Sequence, residues 1–286
     1  MWPPTATLTE NNLPSQTGKV FLITGGASSV GLALARILYT AGGRIYIAGL
    51  SEANGLAAIK STTASLTASP NRRHARVPAS RPRRPAHHRA RRRRVPKARK
   101  AAARPVQQRR RLLAPGSVAR PPRGDELMLA TNWPGAVSIH PAAAAAARAA
   151  RRGSASGVVW TSSIAVDAQA PTGRRPRRAG REGVWSVTQN PGNLNTNLTR
   201  HMPRLVVLAV RPLLYESRYG PYTELWAGLS EELGEGDQGG YVVPWGRRHP
   251  SLREDLVEAV KSVEEGGKGR AKGFAGWCEE RTKGFR

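Results

Sequence analysis

The chain has 286 residues, with 46 Lys and Arg against 19 Asp and Glu and a formal net charge of +27. That length can bury one large α/β core or two small ones, and an α/β pattern favours one domain over residues 1–286. Its single cysteine, Cys278, excludes an internal disulfide framework and a cysteine metal cluster.

In chain order, Met1 to Thr17 lacks the basic-then-apolar sequence of a signal peptide. No later run reaches the roughly 18 apolar residues of a membrane span, so a cytoplasmic protein is expected. Val20 to Ile23 predicts a strand, and Leu32, Leu34, Ala35, Ile37 and Leu38 predict a helix. Between them lies Thr24-Gly25-Gly26-Ala27-Ser28-Ser29-Val30-Gly31. Gly25 allows the tight reversal, the helix N-terminus favours a pyrophosphate, and Gly31 lets helix and strand pack closely. After Ala41-Gly42-Gly43, a second strand over Arg44 to Ala48 completes a βαβ unit, and another helix begins before Lys60. Such a unit implies a dinucleotide site, although glycine turns also join strand to helix where no nucleotide binds.

From 69 to 124 periodicity vanishes. Arg72 to Gly124 holds 20 Lys and Arg and no acid, and Arg148 to Arg181 holds 8 Arg against Asp167 alone. The rest of the chain carries 18 basic and 18 acidic residues, so the net charge resides in these two blocks. With few large apolar groups and much like charge, the 69–124 insert is expected to be disordered. Order resumes at Asp125 with a helical stretch over Glu126 to Asn132, then an alanine run, then a buried strand in Gly157 to Ser163. A second basic segment covers 174–183. Val184 to Gln189 predicts a strand leading into Asn190-Pro191-Gly192-Asn193-Leu194-Asn195-Thr196. The 200–286 region reads as substrate-side and helical, with helices at Tyr222 to Leu229, Ser251 to Glu264 and Arg270 to Lys283 and a strand at Tyr241 to Val243. Leu205 to Leu214, apolar but interrupted by Arg211, reads as a buried element or a flap.

Several of these pieces, in this order, resemble the short-chain dehydrogenase/reductase family, and the closing Gly240 to Gly246 with the C-terminal helices resembles its fungal alcohol dehydrogenase-like subgroup. Thr24-Gly25-x-x-x-Ser29-Val30-Gly31 is similar to the family's glycine fingerprint, with Ser29 in place of the middle glycine. Thr131-Asn132-x-x-Gly135 looks like the segment carrying a structural asparagine of the catalytic tetrad. Val158 to Ser163 looks like the strand whose second serine orients the substrate oxygen. Gln189-Asn190-Pro191-Gly192 with Thr196 looks like the Pro-Gly segment that frames nicotinamide. The resemblance implies a Rossmann-type doubly wound parallel sheet, here incomplete, with NADP or NAD as cofactor and a small alcohol or carbonyl substrate. Its site residues would be Ser163 and Asn132 for catalysis and Thr24, Gly25, Ser28, Ser29, Val30, Gly31, Pro191, Gly192 and Thr196 for the cofactor. The second strand ends at Gly49 and Leu50 without the acid that would hold an NAD ribose, which favours NADP. Ser29 can crowd the phosphates or donate to them, so binding is expected to be weakened rather than lost.

The family's proton donor is a tyrosine acidified by a lysine four residues later. None of the six tyrosines has a lysine at that spacing, and none lies between Tyr46 and Tyr215. Ser163 and Pro191 are only 28 positions apart, too few for the helix that carries the pair. Asn-Asn-Ala-Gly, which should precede Asn132, is also missing. Yet Gln107 to Leu113 can be encoded CAA CAA CGC CGG CGT CTA CTG, and the same letters read one base later give Asn-Asn-Ala-Gly-Val-Tyr. Arginine-rich blocks fit GC-rich codons read out of frame. A frameshift, together with a deletion near Gly173, therefore accounts for the gaps. Two other readings stand beside this one: a nucleic-acid-binding protein using Arg72 to Arg123 for phosphate contacts, and a cofactor-binding pseudoenzyme. The tryptophans are not interleaved with the basic residues as a base-stacking platform would require, and no histidine has metal-ligand spacing.

Overall fold

The computed structural model describes residues 3–49, 51–67, 103–107, 157–163, 185–196 and 203–282. Its strands are β1 Val20–Thr24, β2 Arg44–Ala48, β3 Ala103–Gln107, β4 Gly157–Thr161, β5 Trp185–Gln189, β6 Leu194–Asn195, β7 Tyr215–Glu216, β8 Tyr241–Val243 and β9 Arg247–Arg248. The helices are α1 Ser29–Thr40, α2 Glu52–Thr67, α3 Arg204–Val210, α4 Gly220–Leu229, α5 Glu254–Val260 and α6 Arg270–Thr282.

Seven strands form one sheet in the order β2-β1-β3-β4-β5-β8-β9, while β6 and β7 pair separately. All neighbours in the large sheet are parallel except the β8–β9 pair. Phe21 and Ile23 of β1 meet the α1 stripe Leu34, Ala35 and Leu38, with Ile45, Tyr222 and Leu225 completing this core. The stripe follows the helical period, which is why α1 turns one face to the sheet. A second cluster joins Val159 of β4 and Val187 of β5 to Trp226 and Ala227 of α4. The chain leaves α1 through Gly42 at φ 92, a left-handed conformation that glycine adopts without a Cβ penalty.

The strands predicted at Arg44 to Ala48 and Tyr241 to Val243 form over those residues, and β1 and β5 differ from expectation by one residue at an end. Three expectations need correction. First, the 69–124 insert was expected to lack structure and leave the sheet incomplete beside β1. Instead Ala103–Gln107 lies between β1 and β4, with Val20 opposite Ala103 and Thr24 opposite Gln107. A parallel ladder is made by backbone groups, so an extended segment can enter it whatever its side chains suggest. Second, of the buried element and the flap expected for Leu205 to Leu214, the structure excludes the buried element: Leu205 is 81% exposed, Leu208 64% and Leu213 63%. Pro212 follows α3 within a short 3-10 turn and helps to limit it to seven residues. Third, the helix expected over Ser251 to Glu264 spans only Glu254–Val260, because Lys261 adopts an extended conformation at ψ 140. The remainder of 69–124, the expected helix at Glu126, Asn132 and the 174–183 segment lie outside the described residues.

Candidate active site

The register places Thr24 beside Gln107, Gln107 beside Trp160, and Thr161 beside Gln189. The carboxyl ends of β1, β3, β4 and β5 therefore form one edge, roughly 14 Å across at three inter-strand spacings. From β1 the sheet grows one way to β2 and the other way to β3, and a reversal of this kind opens a crevice at the strand ends.

The glycine turn borders that crevice. Gly25 has φ 70, and its N–H donates to the Ala48 carbonyl at 2.8 Å. A Cβ on Gly31 would lie 2.7 Å from the Gly25 oxygen, so glycine is required for this approach of helix to strand end. Ser28 precedes α1 in an extended conformation and makes no side-chain cap bond. The first-turn amides, which have no intrahelical acceptor, are left for an anion by that arrangement. Ser29 has φ 48, the one left-handed non-glycine among the described residues. Val30 is buried against Leu194 and Trp245, and Thr24 is buried at the end of β1. An uncapped helix start beside a glycine that tolerates no Cβ fits a pyrophosphate, with Ser29 adding bulk the pattern normally avoids.

Two further predicted segments end at the same edge. Ser163 follows β4, and its carbonyl accepts the Tyr241 hydroxyl at 2.8 Å. Ser162 N–H donates to the Gln189 carbonyl at 2.5 Å, tying the β4 end to β5. Asn190 N–H donates to the Val242 carbonyl at 2.8 Å, and Asn190 Oδ1 accepts Gly192 N–H at 3.0 Å. These bonds fix the turn that presents Pro191 and Gly192. Gly192 has φ 92, and a Cβ there would come within 2.7 Å of the Trp245 ring. Thr196 follows β6, beyond that turn. The structure thus gathers the glycine turn, Ser163 and the Pro191-Gly192 turn along one sheet edge.

Sequence reasoning missed Tyr241, Trp245 and Glu224 as parts of this neighbourhood. Glu224 carried a signal of its own, being an acid inside the apolar run Tyr222 to Ala227, where burial demands a polar partner.

The chain is 32% identical to the short-chain dehydrogenase/reductase iacJ of Pestalotiopsis fici, an alignment covering 99% of this chain and 96% of the relative. The chain belongs to the short-chain dehydrogenase/reductase family. It is also 29% identical to the short-chain dehydrogenase/reductase bet4 of Neocamarosporium betae over 100% of its own length and 92% of that protein. The bet4 alignment runs over 320 positions against a chain of 286 residues, so that relative carries segments this chain lacks. A 3-oxoacyl-[acyl-carrier protein] reductase from Brucella melitensis superposes with a TM-score of 0.57 at 16% identity, covering 86% of this chain and 97% of that one. A structure of such a reductase from Brucella melitensis with bound NAD superposes at 0.54, again at 16% identity over 86% of this chain and 97% of that one. These likenesses show the Rossmann-type fold. No family model matches the chain. Among the described residues, no helix is long and apolar enough to cross a membrane.

The Tyr-x-x-x-Lys pair that the family resemblance implies is absent from the sequence. Tyr215 and Tyr219 stand against Trp245, with ring centroids 5.2 and 5.4 Å away. Burial, reinforced by Glu10, pushes the Tyr222 phenol up to about 12, away from the range a proton donor needs.

Proposed function

We propose that this chain is an NAD(P)-dependent oxidoreductase for a small alcohol or carbonyl substrate, and that in its present sequence it is catalytically impaired. The gathering of the glycine turn, Ser163 and Pro191-Gly192 at one sheet edge carries the reading. In it Thr24, Gly25, Ser28, Ser29, Val30 and Gly31 hold the pyrophosphate, and Pro191, Gly192 and Thr196 frame the nicotinamide. When bound, that group gives or takes hydride. The Ser163 hydroxyl holds the substrate oxygen, with Asn132 as the remaining member of the catalytic set. Impairment follows from the missing Tyr-x-x-x-Lys pair, since no positioned group then moves the proton. The setting consistent with this reading is cytoplasmic.

The frameshift account draws support from β3. A strand paired on both sides in a parallel sheet is normally rich in Val, Ile and Leu, yet β3 holds Arg104 and Pro105, and Pro105 has no N–H for the ladder. Its last residue, Gln107, is where the shifted frame begins Asn-Asn-Ala-Gly, beside Thr24 and the glycine turn. The longer aligned length of the bet4 relative fits a deletion as well.

The test is a titration of the purified chain with NADPH and NADH, followed by nicotinamide fluorescence. Saturable binding is expected for both, tighter for NADPH because β2 runs into Gly49 and Leu50 rather than into an acid. Absence of binding to either would overturn the reading, and tighter NADH binding would reverse the cofactor preference.

A further inference from the structure

Below the strand ends, the sheet face toward α4 changes character. Val159 and Val187 on that face are buried with Trp226 and Ala227. Two residues toward the carboxyl ends, where a strand returns to the same face, stand Thr161 and Gln189. Helix α4 passes beneath both. Its Gly220 lies against Val30 and Leu194, and Gly228 lies against Val159, so Glu224 comes between these levels. Gln189 Nε2 donates to Glu224 Oε1 at 3.0 Å and to Thr161 Oγ1 at 3.2 Å, and the Thr161 hydroxyl donates to Glu224 Oε1 at 3.4 Å. Gln189 is 0% exposed and Glu224 1%.

A carboxyl group withdrawn this far from water bears a desolvation cost that an apolar side chain of similar volume avoids, so packing alone does not account for it. The bonds at Oε1 give it a role. Thr161 stands two residues before Ser163, and Gln189 two before Pro191. One carboxylate oxygen therefore anchors both segments, and the Ser162 N–H bond to the Gln189 carbonyl cross-links them above it. We propose that Glu224 is a positioning residue that sets the spacing between the Ser163 segment and the Pro191-Gly192 turn through Thr161 and Gln189. What is positioned, a substrate-holding serine against a nicotinamide frame, rests on the function proposed above. The positioning itself does not.

Glu224→Gln keeps an acceptor oxygen for both donors, whereas Glu224→Leu removes it at similar volume. Hydrogen exchange is followed in peptides covering 160–163 and 187–193, with 20–40 as the internal reference, and NADPH affinity is measured in parallel. Glu224→Leu is expected to raise exchange in the first two segments about tenfold while the reference is unchanged, and to weaken NADPH about tenfold. Glu224→Gln should restore both to within about threefold of the parent. A rise spread evenly over all three segments, or none in 160–163 and 187–193, would overturn the proposal. Where Glu224→Leu does not fold, Thr161→Val serves instead and must loosen 160–163 without loosening the reference. A parent chain that binds no cofactor would remove the functional reading, while the exchange comparison still decides the positioning role.

Discussion

At Ser29 a single side chain departs from what its backbone requires. Its φ of 48 lies in the left-handed region, where a Cβ crowds the following carbonyl at a cost of about 1–2 kcal/mol. Glycine would avoid that cost but lose about 0.5–1 kcal/mol through the greater freedom of the unfolded chain. Ser29→Gly is therefore expected to stabilise the protein by about 0.5–1 kcal/mol, raising Tm by roughly 2 °C in a calorimetric scan. On the function proposed above it should also tighten NADPH, because the hydroxymethyl group would leave the mouth of the proposed phosphate cradle. A lower Tm would mean that the serine makes a compensating contact. Looser NADPH binding would mean that its hydroxyl donates to phosphate. This turn was legible in the sequence because local geometry alone requires Gly25 and Gly31. The contacts of Glu224 and Tyr241 were not, since each links residues more than 30 positions apart through the sheet order.

Among the elements, β8 and β9 form the hairpin that closes the sheet, and a charged clamp holds it to the preceding loop. Arg248 Nε donates to Asp237 Oδ1 at 2.6 Å and Nη2 to Oδ2 at 2.9 Å, while Nη2 also reaches the Glu232 carbonyl. The Arg248 hydrogen bond, aided by Gly234 N–H, holds the Asp237 carboxyl below its ordinary 3.8. A carboxyl depressed in the folded state stabilises that state above its unfolded pKa, and the contribution is lost as pH falls through the folded value. The parent Tm should therefore drop more steeply below about pH 4 than that of Asp237→Asn, and the two slopes should be parallel above about pH 5. Equal slopes throughout a pH series of melting curves would show that the clamp does not couple to stability. Elements of this kind were readable where an apolar run or a helical period marks them, as in β2 and α1. β3 escaped because Arg104 and Pro105 give no strand signal, and its place comes from the gap between β1 and β4 that backbone pairing fills.

For the molecule as a whole, two basic blocks carry the excess charge of a chain that is otherwise neutral and shares its family's fold. On the function proposed above, a frame error would account for both the charge and the missing motifs. Sequencing the transcript across codons 60 to 190 is accordingly expected to recover Asn-Asn-Ala-Gly near position 107 and Tyr-x-x-x-Lys after Gly173. A transcript matching the 286 residues throughout, with no alternative splice form, would remove that account and leave the pseudoenzyme reading.

The same reasoning sets the activity of the chain in its present form. Positioned acid–base help contributes about 10²–10⁴-fold to a proton transfer, and on the function proposed above the missing Tyr-x-x-x-Lys pair would remove it even with cofactor and substrate oxygen held. Tyr215 and Tyr219 pack on Trp245, and the Tyr222 phenol is pushed away from acidity by burial. The purified 286-residue chain should show no measurable change in nicotinamide absorbance with a panel of alcohols, aldehydes and ketones, whichever cofactor is supplied. A variant restoring the in-frame central segments should gain turnover, and Ser163→Ala in that background should abolish most of it. Robust turnover by the unrestored chain, lost in Ser163→Ala, would place the proton on a group other than the tyrosine and refute the impairment.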